Sequence, residues 1–187
     1  MQPIGILMKE HRIIERMLVR VEEAYNIAKL TGNISTDFLM TEIDFFQTFA
    51  DKNHHAKEED ILFRALGQKR MQIEHRRIMS TLLEDHKITR SIVRALGAAR
   101  EKYLRGSKGA MVELLAAMER LLAIYPKHIE TEDKHFFYPS MEYFNEMEKE
   151  EMLEQFSEYN KSIDYEKYVQ IAEHLQYPIA IHNMSDR

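Results

Sequence analysis

Seven residues near the start of the chain, Leu7-Met8-Lys9-Glu10-His11-Arg12-Ile13, recur in kind as Leu82-Leu83-Glu84-Asp85-His86-Lys87-Ile88, and His54-x-x-x-Glu58 recurs as His128-x-x-x-Glu132. The offsets are 75 and 74 residues. A near-constant offset means that one helix pair is present twice, each copy carrying a His on its first helix and a His-x-x-x-Glu on its second. On an α-helix, positions i and i+4 differ by about 40° and one turn, so one inward face presents both an imidazole and a carboxylate to the same ion. Four imidazoles and two carboxylates aimed at one axis make a two-metal site, with His11, His54, Glu58, His86, His128 and Glu132 as its ligands.

The His-x-x-x-acid spacing alone is weak evidence. With 31 acids in 187 residues, about 1.5 of the nine His are expected to have one four residues on, and five do: His11, His54, His55, His128 and His182. The duplication is what selects among them. It aligns His54 with His128 and Glu58 with Glu132, and leaves His55 opposite Ile129 and Glu59 opposite Asp133. His54 and Glu58 are therefore the expected ligands, and the pair His55 and Glu59 is the alternative. A buried, unpaired His or Glu costs several kcal/mol, and two Glu on one axis repel each other, so a cation between them resolves both problems.

Composition limits what such a site can be. The chain has no Cys, which removes iron–sulfur clusters, thiolate zinc sites and disulfides and leaves N and O donors for any metal. The twelve Met read as core filler. A net charge of −5 without a basic, aromatic-laced stripe argues against a nucleic-acid partner. The apolar run Ile4-Gly5-Ile6-Leu7-Met8 is too short for a signal segment and no run has transmembrane length, so the expectation is a soluble, cytoplasmic protein without a membrane partner.

Helical periodicity runs through the whole chain. Leu7, His11, Ile14, Leu18, Val21, Tyr25 and Ala28 form one stripe that ends at Thr31-Gly32-Asn33, with Ser35 or Thr36 to cap the next helix. A second helix is predicted over about 37–66. A third follows a turn around 68–74 and stops at Arg105-Gly106-Ser107-Lys108-Gly109. The fourth starts near Ala110, kinks at Pro126 and ends before Pro139. The predicted fold is all-α: an up-down-up-down four-helix bundle over 1–142, with a C-terminal helical appendage and tail over 143–187. The appendage holds helices over about 145–159 and 164–175, and it is the surface through which a protein partner would be contacted. His75, His174 and His182 read as surface residues, and His135 as either a residue behind the ligands or core packing.

The same residues resemble the hemerythrin-like HHE cation-binding domains. The resemblance rests on the His spacings of 43, 32 and 42 residues, the Glu10-His11-x-x-Ile14 start and the run His54-His55-x-x-Glu58-Glu59-x-x-Leu62-Phe63. It covers about residues 5–140 and implies two iron ions in a non-haem, carboxylate-bridged centre, with manganese or zinc as substitutes. It also implies that the centre meets O2, NO or peroxide. Hemerythrins proper have a further His one turn before the third-helix ligand and a His-x-x-x-x-Asp in the fourth helix. Here those places hold Leu82 and His128-x-x-x-Glu132, which argues against reversible O2 carriage and makes the site more symmetric. The expected function is to bind or sense O2, NO or a related oxidant. The alternative is a di-iron enzyme or iron-handling protein that reduces peroxide, oxidises ferrous iron or donates iron for cluster repair.

Overall fold

Apolar stripes at helical spacing bury themselves by packing against one another, and the result is six helices among the described residues. The computed structural model describes residues 2–175; the predicted tail beyond Leu175, with His182, lies outside them. Helix α1 spans Pro3–Thr31. Gly32 stops it by turning left-handed at φ 70, and its N–H returns to the Ala28 carbonyl at 2.9 Å. Helix α2 covers 36–66 and starts where the Ser35 side chain accepts from the Phe38 N–H. It opens as an α-helix (Thr36–Asp44), widens twice into π-helical stretches (Phe45–His55 and Glu58–Phe63) and closes at Arg64–Leu66. Helix α3 is Ile73–Leu104.

Helix α4 covers 110–141, with a third π-helical stretch at Glu132–Phe136 after Ala110–Thr131. Pro126 sits inside this helix without ending it. Contrary to expectation, the helix also passes Pro139, in the short segment Phe137–Met141. The reason is local: that segment restarts at Phe137, so Pro139 falls in a first turn, where a backbone N–H has no acceptor to lose. Helices α5 (Glu146–Lys161) and α6 (Tyr165–His174) follow, the first held by a capping box between Asn145 and Glu148, the second capped by Asp164.

α1 packs on α4, α4 on α3, α3 on α2 and α2 on α1, which closes the bundle; α5 and α6 both lie against α1 and α2. The core is divided into two apolar plugs. One holds Ile14, Val21, Phe45, Phe49, Leu96, Leu121 and, from α6, Tyr168 and Ala172. The other holds Leu7, Leu62, Leu82, Phe136, Phe137 and, from α5, Met152 and Phe156. Along every bundle helix, the predicted His falls between residues of the two plugs. A dry polar layer between two apolar seals is what the bundle builds.

One buried acid lies outside that layer. Glu42 on α2 is fully buried and neither of its carboxylate oxygens meets a donor among the described residues. Burial pushes its pKa up to about 8, so it is neutral in the folded protein at pH 7. The folded state then binds a proton that the unfolded chain releases near pH 4.5, and stability is lost as pH rises from that value through about 8. Glu42→Met should melt higher than the unmodified protein, with a gap that grows from pH 5 to pH 9. A gap that does not change with pH would rule out Glu42 as the source.

Candidate metal centre

Each bundle helix delivers its predicted residue to the polar layer, and all six (His11, His54, Glu58, His86, His128 and Glu132) are buried and brought together there. Their inward atoms converge. The His11 Nε2 lies 3.1 Å and the His128 Nε2 3.2 Å from the same oxygen of Glu132. The His54 Nε2 lies 3.4 Å from one oxygen of Glu58, and the His86 Nε2 3.4 Å from the other. Both carboxylates thus stand between imidazoles from different helix pairs. Two sets of four ligand atoms, each within 4.8 Å of one another, result: His11, His54, Glu58 and Glu132, and His55, Glu58, His86 and His128. Glu58 belongs to both.

His55 is the residue that the repeat did not select. The duplication left it as an alternative to His54, whereas the structure turns both inward. Its ring stacks on His86 at 3.9 Å between centroids and lies 5.9 Å from His128; both of its nitrogens are buried without a hydrogen bond. The cause is the π-helical stretch that ends at His55, whose wider turn rotates neighbouring side chains by less than an α-helix does. The i, i+4 geometry used to read the sequence assumes a regular helix, so that assumption hid His55. Leu82, one turn before His86, lies in the apolar plug and offers nothing to the layer.

Behind four of the five imidazoles is a ring of carboxylates, one for each. The His11 Nδ1 lies 2.7 Å from Asp133, His54 Nδ1 3.0 Å from Glu10, His86 Nδ1 2.7 Å from Glu59 and His128 Nδ1 3.3 Å from Asp85. A carboxylate on Nδ1 fixes the tautomer that carries its proton there, which leaves the Nε2 lone pair directed inward for a cation. Glu10 and Asp85 match in the repeat, as do Glu59 and Asp133. The signal was present in the sequence as an acid before each lone His and an acid after each inward Glu. Two basic residues brace this ring from outside: Arg12 pairs with Asp133, and Arg90 reaches Glu59 at 2.7 Å. His75 is not simply a surface residue: it is half-buried and its Nδ1 meets the Tyr143 hydroxyl at 2.8 Å. His135 is exposed, as is His174, so His135 neither backs the ligands nor packs in the core.

The electrostatics are those of a site built around missing positive charge. Burial, with repulsion from Glu132 and Glu10, pushes the Glu58 carboxyl well up, while His128 and His11 overcome burial to hold Glu132 well down. Burial holds His54 at about 4 despite Glu10. Burial would lower His128 too, but Glu132 and Asp85 outweigh it and push it up to about 9. Without metal, burial and the neighbouring acids favour the protonated form of Glu58, and Glu132 and Asp85 favour the protonated form of His128. The buried oxygens of Glu58 and Glu132 and the nitrogens of His55 have no hydrogen-bond partner among the described residues. A set of N and O donors without sulfur, orphaned in a dry layer, fits first-row divalent metals such as iron, manganese or zinc.

A cleft of about 270 Å³ is lined by His55 together with Asp51, Thr89, Arg90 and Tyr125.

Among comparisons with known proteins, the model of the hemerythrin HHE cation binding domain matches residues 2–137. No curated protein and no solved structure matches the chain.

Two opposite pH dependences follow from these charges. In the metal-free protein, a His128 raised to about 9 contributes stability that is fully present below its unfolded value of 6.5 and lost as pH rises through about 9. Metal must displace the proton on His128, so its binding strengthens over the same range. The melting temperature of the metal-free protein should fall between pH 6.5 and 9 while the increment added by metal widens. An increment that shrinks towards pH 9 would contradict the protonation pattern.

Proposed function

Because this chain belongs to the hemerythrin HHE cation-binding family, we propose that its polar layer holds two iron ions and that the protein binds or senses O2, NO or a related oxidant there. The observation that carries this reading is the sharing of Glu58 and Glu132 between the two sets of imidazoles, each set being large enough to hold one ion. His11 and His54 would hold one metal, and His55, His86 and His128 the other, with both carboxylates between them. Iron bound in this way would supply one-electron exchange and an acceptor for small oxidants. The chain's own contribution is to hold the imidazoles through Nδ1, to neutralise the charge of the ions with two buried carboxylates, and to keep bulk water out with the apolar plugs.

His55 alters one expectation drawn from the sequence. The additional His of hemerythrins proper has no counterpart at Leu82, but a fifth imidazole enters from α2 instead, on the His86 and His128 side. The two metal positions are then unequal, three imidazoles against two. A second reading, peroxide reduction or the handing on of iron, is favoured by the cleft of about 270 Å³ that His55 lines. The soluble, cytoplasmic location remains part of the proposal; no helix among the described residues is long and apolar enough to cross a membrane.

Elemental analysis of purified protein should give about two metals per chain. His54→Ala and Glu132→Ala should lose much of the metal, and His75→Ala none. Full metal in the Glu132 variant would overturn the assignment. Iron-loaded protein that changes its absorption with O2 or NO but turns over no peroxide supports binding or sensing; sustained peroxide turnover supports the second reading.

A further inference from the structure

Lys57 is completely buried, and its location makes it informative. A buried ammonium is tolerated only when its three protons find acceptors, and here all three do. One goes to Glu10, one to the Asn160 side-chain oxygen at 2.6 Å and one to the Asn53 amide oxygen at 3.1 Å, with the Asn53 amide oriented so that its nitrogen donates to Asn160 at 3.0 Å. Glu10 in turn holds the His54 Nδ1, and the Tyr165 phenol is near enough to the same carboxylate for the two to interact. A continuous chain of contacts therefore runs from an imidazole of the polar layer to Asn160 and Tyr165, which flank the turn between α5 and α6.

Two comparisons give this chain of contacts its meaning. The first is internal: the place that matches Lys57 in the second half of the repeat is Thr131, whose hydroxyl bonds back to the Lys127 carbonyl. Asp85, the counterpart of Glu10, is a quarter exposed and no cation backs it among the described residues. The second concerns the family match, which ends at residue 137, before either α5 or α6 begins. The buried clamp on one half of a near-symmetric site is thus closed by Asn160 and Tyr165, which lie beyond the matched residues.

We infer that α5 and α6 are a working part of the centre: Asn160 and Tyr165 are positioning residues that, through Lys57 and Glu10, fix the His54 imidazole and set the hold of one metal position without touching the other. This rests on the reading of the layer as a metal site. Removing a group behind a ligating His typically weakens metal binding 10- to 100-fold, and here the loss should fall on the His11 and His54 position alone.

The test uses the full chain and two readouts. In the first, iron-loaded protein is mixed with excess chelator and metal release is followed in time. Asn160→Leu should split the release into two equal phases, one at least tenfold faster than in the unmodified protein and one unchanged; Tyr165→Phe, which removes a single hydroxyl and keeps the packing, should do the same to a smaller extent. Asn160→Asp, which retains an acceptor for Lys57, should restore slow release. Unchanged release, or equal acceleration of both halves, would overturn the inference, the latter by showing general loosening. In the second, imidazole ¹⁵N resonances are recorded on metal-free protein: Asn160→Leu should shift those of His54 and leave His128 in place. Unmoved His54 resonances would likewise overturn it. If the unmodified protein takes up no metal, the proposed function fails, and the resonances alone decide whether the clamp governs His54.

Discussion

Two carboxylates buried within a few ångströms of each other are the constraint on which the structure turns. At a separation of 4.8 Å or less, ionising both would cost about 3.5 kcal/mol in repulsion even at an effective dielectric of 20, in addition to removing each charge from water, and burial with repulsion pushes the Glu58 carboxyl towards its neutral form instead. A fold that stands only 5–15 kcal/mol above its unfolded state does not retain such a pair for packing alone. The five imidazoles around Glu58 and Glu132 compensate incompletely, because burial keeps most of them from carrying charge. Cationic charge would satisfy the layer, and the remaining structure reads as the means of keeping that layer dry, rigid and correctly protonated.

Rigidity comes from the outer carboxylates and dryness from the plugs. Each of Asp133, Glu10, Glu59 and Asp85 arrives from a helix other than that of the imidazole it holds, so the Nδ1 bonds also tie the bundle together across its centre. The π-helical stretches of α2 and α4 occur where these demands meet. They let α2 bury Asn53, His54, His55, Lys57 and Glu58 within six residues, a density that a regular amphipathic helix with one solvent face does not reach.

That density also marks the boundary of what was legible in the sequence. The four bundle helices, their turns at Gly32 and 105–109, and the convergence of His11, His54, Glu58, His86, His128 and Glu132 all follow from periodicity and from the duplication, because a repeated helix pair constrains both copies at once. His55 did not follow, since its inward turn depends on a local widening that no propensity announces. Lys57 and Asn53 did not follow either: a Lys in a charged run reads as a solvated residue, and only the packing of α5 and α6 over α2 buries it. Glu146-Met147-Glu148-Lys149-Glu150-Glu151 suggested an appendage because its first turns are exposed, yet Met152 and Phe156 just beyond it complete one of the plugs.

The central claim is that the layer holds two metals sharing Glu58 and Glu132. X-ray absorption at the iron edge of the loaded protein tests it directly. The account predicts a shell of nitrogen and oxygen donors without sulfur, together with an iron–iron vector of about 3.5–4 Å, the separation usual for two-metal sites. A nitrogen and oxygen shell with no iron–iron contribution in fully loaded protein would contradict a shared site.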